Sequence, residues 1–420
     1  MWSEAINQML RQWMRKGALT LHLPDGTARS YGDGTAPQVT LRIHDDATLR
    51  RLALNPDLAL GEAYMEGSLT VDGDDLHGLL ELVLRNFGGG RRSWWNLPGR
   101  WLRKARRGLD QRNIAASSRR NVAHHYDLPP RLYDLFLDED RQYSCAYFRD
   151  PGDGLEQAQL QKKHHIARKL RLEPGLRVLD IGCGWGGMAL TLARDYGVQV
   201  TGVTLSEEQL KVAQRRAREE GLEDRVEFRL QDYRAVTETF DRIVSVGMFE
   251  HVGLPQFDPY FRAVHDLLAE DGVALVHTIG WAGPPGSTNP WIAKYIFPGG
   301  YIPSLSEVAP VIENNGLWLT DLECLRLHYA LTLRHWYDRF TARLDEAREI
   351  NDETFVRMWK FYLVASEQSF RFNRQDVFQF QISKRLDAVP ITRDYLYRSG
   401  LVPRQAEVET LDRARDHAAE

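Results

Sequence analysis

One stretch constrains this chain more than any other. A short apolar run, Arg177 to Ile181, leads directly into Gly182-Cys183-Gly184-Trp185-Gly186-Gly187. A buried strand that ends on closely spaced glycines is a turn where backbone can approach a ligand, at a helix N-terminus whose amides face it. The following residues, Trp185 to Asp195, read as that helix. Alternation then continues, with strands at Val198 to Val203, Val226 to Leu230, Ile243 to Val246 and Val273 to Thr278. Between the first two lies a charged helix, Ser206 to Glu220, capped by Ser206 with Gln209 three residues on. Strands and helices alternating at this spacing predict an α/β fold with a doubly wound, mostly parallel sheet.

The glycines also satisfy Gly-x-Gly-x-x-Gly through Gly182, Gly184 and Gly187, a weak dinucleotide signal when alone. Two details oppose that reading. Asp180 stands two residues before the first glycine, where a carboxylate can hold a hydroxyl or a cationic group. The second strand ends Val203-Thr204-Leu205-Ser206, without the acidic residue that a nicotinamide ribose requires. The Asp-x-Gly-x-Gly-x-Gly string resembles the first motif of class I S-adenosylmethionine methyltransferases, whose fold is Rossmann-like. Their ligand is a sulfonium with a zwitterionic tail and no pyrophosphate, so it needs a tight turn and acceptors rather than an anion cradle. A dinucleotide site and a purely structural turn remain the competing readings of the glycines alone.

A chain of 420 residues exceeds one ordinary domain. Residues 1–87 read as a smaller N-terminal α+β domain. It opens with a helix from Ser3 to Lys16, docked on its own domain or lying on a membrane surface. Alternation at Leu19, Leu21 and Leu23, the turn Pro24-Asp25-Gly26-Thr27, and alternation again at Val39, Leu41 and Ile43 follow. Residues 88–120 form a linker rich in Gly, Arg and Trp, residues 121–400 the catalytic domain, and residues 401–420 a polar tail. From Arg91 to Arg120 there are ten Lys/Arg and one acidic residue, Asp110, with Trp94, Trp95 and Trp101 interleaved. Such a run is either a solvated linker or a patch for anionic bilayers, each cation adding about 1 kcal/mol near the surface. Nucleic acid is not an expected partner, because the formal net charge is -4. Cys145, Cys183 and Cys324 are widely spaced and read as free thiols of a reducing cytosol. Met1 to Leu23 carries charges inside its apolar pattern, unlike a signal peptide. No uncharged run approaches the roughly 20 residues of a spanning helix.

Beyond the glycine turn, several strings occur in order: His124-His125-Tyr126-Asp127-Leu128, Tyr143-Ser144-Cys145-Ala146-Tyr147-Phe148, Gly202-Val203-Thr204-Leu205-Ser206, Met248-Phe249-Glu250-His251-Val252-Gly253 and His277-Thr278-Ile279-Gly280. Tyr295-Ile296-Phe297-Pro298-Gly299-Gly300 and His328-Tyr329 extend the set. Together they resemble the cyclopropane-fatty-acid synthase family, which includes the mycolic acid cyclopropane synthases, over roughly Asn121 to Arg385. The resemblance implies that Tyr126, Tyr143, Ser144, Asp180, Gly182 and Gly184 border S-adenosylmethionine. It implies that Thr204 and Gln209 hold its ribose and methionine parts, and that Gln231 and Asp232 lie on the adenine side. It further implies a bicarbonate site made by Cys145, Glu250, His277, Ile279 (through its backbone) and Tyr329.

The implied chemistry explains such a site. An isolated alkene is a poor nucleophile, so the methyl donor must be held in line with the π bond. The resulting carbocation demands a dry pocket, and aromatic faces can stabilise it by roughly 0.5–2 kcal/mol each. Tyr143, Phe148, Tyr295, Phe297 and Tyr301 are the aromatic candidates, whereas Phe361, Tyr362, Phe370, Phe372, Phe378 and Phe380 read as core. Bound bicarbonate would take the proton whose loss closes the ring. Unsaturated phospholipids in a bilayer are the implied substrate, met by a cytoplasmic homodimer through transient contact with the inner face of the membrane. A same-family enzyme that gives a methyl-branched alkene is the nearest competitor, and a small-molecule methyltransferase or a lipid sensor are more distant ones. Pro129-Pro130-Arg131-Leu132-Tyr133 departs from the family pattern and is expected to stiffen a segment near acyl-chain entry.

Overall fold

The computed structural model describes residues 2–87 and 129–397. The linker, the string containing Tyr126 and the polar tail lie outside the described residues.

In the N-terminal part, helix α1 (Trp2–Trp13) buries Ile6 and Leu10. It ends earlier than its apolar pattern suggests, because the Asn86 side chain takes the amides of Arg15 and Lys16 at 2.8 and 3.0 Å. Trp13 then stacks on Phe87. Strands β1 (Ala18–His22), β2 (Ala28–Gly32), β3 (Gln38–Ile43) and β4 (Leu69–Val71) form a sheet of order β2-β1-β3-β4. Leu19, Leu21, Val39, Leu41 and Ile43 alternate inward from it, as period-two spacing requires. Helices α2 (Asp46–Leu54), α3 (Pro56–Glu66) and α4 (Leu76–Phe87) complete this part.

The larger part carries a sheet of order β10-β11-β9-β8-β5-β6-β7. Strands β5 (Arg177–Ile181), β6 (Gln199–Thr204), β7 (Val226–Leu230), β8 (Phe240–Val246) and β9 (Leu268–Trp281) run parallel. Strand β11 (Gln375–Ser383) is antiparallel to both β9 and β10 (Trp318–Cys324). The chain moves outward from β5 to β7 and then returns to β8. The reversal between β5 and β8 is the switch point where such sheets open a crevice at the strand ends. This is the doubly wound, mostly parallel sheet that the βα alternation predicted, and it agrees with the Rossmann-like fold that the motif resemblance implied.

The two parts share one apolar cluster. The helix Glu353–Phe372 packs on α3 and α4, with His77 Nε2 3.1 Å from Glu367 Oε2. Trp291 fills the notch left by Gly61, and Glu62 accepts from Lys294 and Tyr295. The Pro129-Pro130 pair starts a helical turn, Pro130–Tyr133, where a proline at the first position loses nothing. Tyr133, buried by that turn, packs edge-on to Tyr143 and Trp185. Among the described residues no helix is long and apolar enough to cross a membrane.

Candidate active site

A pocket opens at the switch point. Its walls include Tyr143, Ser144, Asp180, Gly182, Gly184, Thr204, Gln209, Gln231 and Asp232, nine of the ten residues expected around the cofactor. Gly182 has φ +82°, and a Cβ there would strike the Met248 side chain at 2.9 Å, so glycine is required on both grounds. Gly182 and Cys183 donate their amides to the Val203 carbonyl at 2.9 and 3.1 Å, fastening the turn to the end of β6. Next along, Ser206 caps the helix Glu207–Glu219 by accepting from the Gln209 amide. Thr204 Oγ1 donates to Gln209 Oε1 at 2.9 Å, which aims that amide across the pocket mouth. Asp232 is held by Arg234 at 2.6 Å.

Asp180 is the electrostatic centre of this pocket. It is buried, Oδ2 has no hydrogen-bond partner among the described residues, and desolvation pushes its carboxyl up to about 7 against the pull of Lys162. Lys162 was not singled out from the sequence. It is fully buried on the helix Leu155–Lys169 and donates to Gln142 Oε1 at 2.7 Å and Ser144 Oγ at 2.8 Å. Burial lowers it to about 8, opposed chiefly by Asp138.

Behind the pocket lies a second group. Glu250 Oε1 accepts the Ile279 amide at 2.6 Å, while Oε2 is buried with no partner among the described residues. Desolvation raises the Glu250 carboxyl to about 7. The Ile279 N–H, expected to face an anion, is therefore taken by Glu250. His277, two residues back on β9, is buried, with Nδ1 3.0 Å from Gln379 Nε2. Desolvation, with Lys162 and Lys169 adding to it, holds its ring well below the usual histidine range. Cys145 is fully buried, and desolvation pushes its thiol up, so it stays protonated. The adjacent Ala146 amide donates to Thr332 Oγ1 at 3.0 Å, one turn along the helix from Tyr329. Tyr143 and Tyr329 both pack against Trp336, at 5.2 and 5.8 Å between ring centroids. The Ala146–Thr332 contact thus ties the Cys145 segment to the helix of Tyr329, and Glu250 is tied through Ile279 to β9, the strand that also carries His277.

A family model described as Mycolic acid cyclopropane synthetase matches residues 114–380, and a domain of unknown function matches residues 5–89. The chain belongs to the mycolic acid cyclopropane synthetase family. It is 40% identical over 358 residues to the cyclopropane-fatty-acyl-phospholipid synthase of Escherichia coli, covering 84% of this chain and 90% of that protein. It is 36% identical over 399 residues to a tuberculostearic acid methyltransferase of Mycobacterium tuberculosis, covering 90% of each. Among solved structures, a cyclopropane synthase from Mycobacterium tuberculosis superposes with a TM-score of 0.61 at 35% identity, over 63% of this chain and 98% of that one. As a member of this family the chain is an S-adenosylmethionine-dependent methyltransferase.

Within this cyclopropane-synthetase framework, the aromatic candidates separate. Tyr143 donates to or accepts from the Tyr362 hydroxyl at 2.9 Å, and Phe297 packs edge-on to Tyr362. Tyr362 is buried in the core cluster, as its spacing read, and meets the pocket wall through Tyr143. Phe148 leaves the group, because it stacks on His335 and His328. Tyr301 leaves it too, spending its hydroxyl on Glu307 in the capping box of the helix Leu305–Asn314. His251 lines the cofactor-side pocket and packs on Phe297, and desolvation lowers it to about 4.

Proposed function

We propose that this protein adds a methylene carbon across the cis double bond of unsaturated phospholipid acyl chains, with bound bicarbonate accepting the proton. The observation that carries the reading is Glu250. Among the described residues, one Glu250 oxygen is fixed by a backbone amide and the other is buried without a partner, an arrangement that a polar ligand would complete. His277, two residues from Ile279 on β9, has a neutral ring, and the Cys145 thiol is protonated; such groups suit the recognition of a small oxyanion and suit amine or hydroxyl methylation poorly. The relative from Escherichia coli, named for phospholipid cyclopropanation, supports the same substrate class.

S-adenosylmethionine, when bound, supplies an electrophilic methyl group. Gly182 and Gly184 would let the backbone approach it, Thr204 and Gln209 would hold its polar parts, and Gln231 and Asp232 would border its adenine. Tyr143, Ser144, Asp180 and Tyr126 would complete the enclosure. The unpartnered Asp180 oxygen fits a cationic or hydroxyl-bearing ligand. In the lipid, the π pair forms the new C–C bond as the donor's C–S bond breaks. The proton then leaves the added methyl, and its electron pair closes the ring. Cys145, Glu250, His277 and Tyr329 would hold bicarbonate as the acceptor of that proton, with the Ile279 amide fixing the Glu250 carboxyl. Tyr143, Tyr362 and Phe297 would face the carbocation and exclude water. The proposal includes a cytoplasmic homodimer that touches the inner membrane face transiently through the Trp- and Arg-rich linker.

The likeness to a tuberculostearic acid methyltransferase favours one second reading, in which a neighbouring chain CH2 loses the proton and a methyl-branched alkene results. Incubation with S-adenosylmethionine and liposomes of cis-unsaturated phospholipid, followed by proton NMR of the fatty acids, separates the two. Upfield ring protons that require bicarbonate and vanish in Glu250→Ala are expected. Olefinic methyl-branched product would overturn ring closure, and no lipid product would overturn the substrate class.

A further inference from the structure

His277 does not stand alone. Glu323 Oε2 accepts from Lys169 Nζ at 2.5 Å and lies 2.6 Å from His165 Nε2. Lys169 Nζ also donates to Gln379 Oε1 at 2.8 Å, and Gln379 Nε2 lies 3.0 Å from His277 Nδ1. Lys169 and Gln379 are both fully buried, so water cannot substitute for either partner.

We propose that Lys169 and Gln379 are positioning residues that lock His277 as the Nε2–H tautomer, making it a hydrogen-bond donor and not a base. The inference rests on the bicarbonate reading for its catalytic meaning, but its structural content is independent of it. An ammonium only donates, so the Gln379 oxygen must face Lys169. The planar amide then turns its NH2 toward the ring, and Nδ1 must offer a lone pair. The ring is neutral in this sealed, cation-flanked position, so its one proton sits on Nε2. Glu323 completes the chain by keeping Lys169 charged. During ring closure the proton from the new methyl passes to a bicarbonate oxygen, giving carbonic acid, while His277 keeps its own proton. The same logic predicts which substitution inverts the ring: a carboxylate at position 379 accepts from Lys169 and from a protonated Nδ1 together.

The test uses the full chain labelled with 15N-histidine and long-range proton–nitrogen NMR, with His277 assigned by its disappearance in His277→Gln. The wild type is expected to show an unprotonated Nδ1 and a protonated Nε2 between pH 7 and 8. Gln379→Glu is expected to move the proton to Nδ1 and to lower kcat at least 10-fold, with S-adenosylhomocysteine affinity unchanged. Lys169→Met, which frees the amide to rotate, gives a tautomer mixture, and Lys169→Arg restores the wild-type pattern. A protonated Nδ1 in the wild type, or an unmoved tautomer in Gln379→Glu, overturns the proposal. If Gln379→Glu fails to fold, the wild-type spectrum and the Lys169 pair still decide it. If the tautomer behaves as stated but turnover ignores bicarbonate, the lock stands and the bicarbonate reading fails.

Discussion

The cofactor-side pocket is built from short stretches of chain: a glycine turn after β5, a capped helix after β6, a loop after β7. Its polar contacts are mostly local, such as Thr204 to Gln209 and Asp232 to Arg234. The cluster around His277 is assembled differently. Gln379 lies 102 positions from His277 and 210 from Lys169, and Glu323 lies 158 from His165. Its members His277, Lys169 and Gln379 are also buried. A pocket of local turns can bind a soluble nucleoside and still exchange it. A sealed polar cluster can hold an anion against an oily substrate, and its groups tolerate little change.

The largest contrast should come from Glu250→Gln. Turnover is expected to fall about 10²–10⁴-fold, the range for losing one group of an acid–base site. Binding of S-adenosylhomocysteine by calorimetry should stay within about twofold, since Glu250 is not part of the glycine-turn wall. Parallel loss of both quantities would erase the distinction between the two halves.

The same substitution has a stability signature of opposite sign. The Glu250 carboxyl rises from 4.5 to about 7 on folding, mainly through desolvation. A raised folded value means stability fully present below the unfolded value and lost as pH climbs through the folded one. The difference corresponds to about 3 kcal/mol at 1.36 per unit. Denaturant titrations should show the wild type losing ground to Glu250→Gln between pH 4.5 and 8, with most of the change complete just above 7. Asp180→Asn should behave alike, because its carboxyl is raised for the same reason. A pH-independent gap would mean these carboxyls are ionised as easily as exposed ones.

This asymmetry also decides what the sequence made legible. The glycine turn, the Ser206 cap and the strands around them announce themselves within a few residues; the structure places β5, β6 and β7 within one position, while β8 and β9 begin three and five residues earlier than their apolar runs. Glu250 and His277 stood out only through their motifs; their partners did not. The helix Leu155–Lys169 carries so many polar residues that it resembles a solvated surface helix, yet Lys162, Lys163, His165 and Lys169 are all buried. Each is paired by a residue from a distant element, and periodicity carries no trace of such pairing.

Lys162 joins the two halves, so its replacement should touch both. Lys162→Met keeps the volume but leaves Ser144 Oγ and Gln142 Oε1 without their buried donor. Charged hydrogen bonds of this kind are worth about 1.5–3 kcal/mol. S-adenosylhomocysteine affinity is expected to fall about 10-fold, equivalent to 1.4 kcal/mol, with kcat falling by a similar factor. An effect on affinity alone would assign Lys162 to the cofactor side, and an effect on kcat alone to the buried cluster.

The smallest effect belongs to Ser206→Ala, which is purely local. Ser206 Oγ accepts the Gln209 amide at 3.3 Å, and its loss leaves a helix N-terminus uncapped at a cost of about 1 kcal/mol. Gln209 reaches the pocket from the first turn of that helix, where Thr204 holds its side-chain oxygen. Fraying the cap therefore loosens one cofactor-side contact while leaving Glu250, His277 and their partners as they were. Denaturation should report the stability loss, and calorimetry an S-adenosylhomocysteine affinity weaker by about 2–3-fold, well within that energy. Turnover at saturating methyl donor should be unchanged. If saturated turnover dropped as well, the turns that bind the cofactor would also set the geometry of the buried cluster, and the two halves would have to be treated as one mechanical unit.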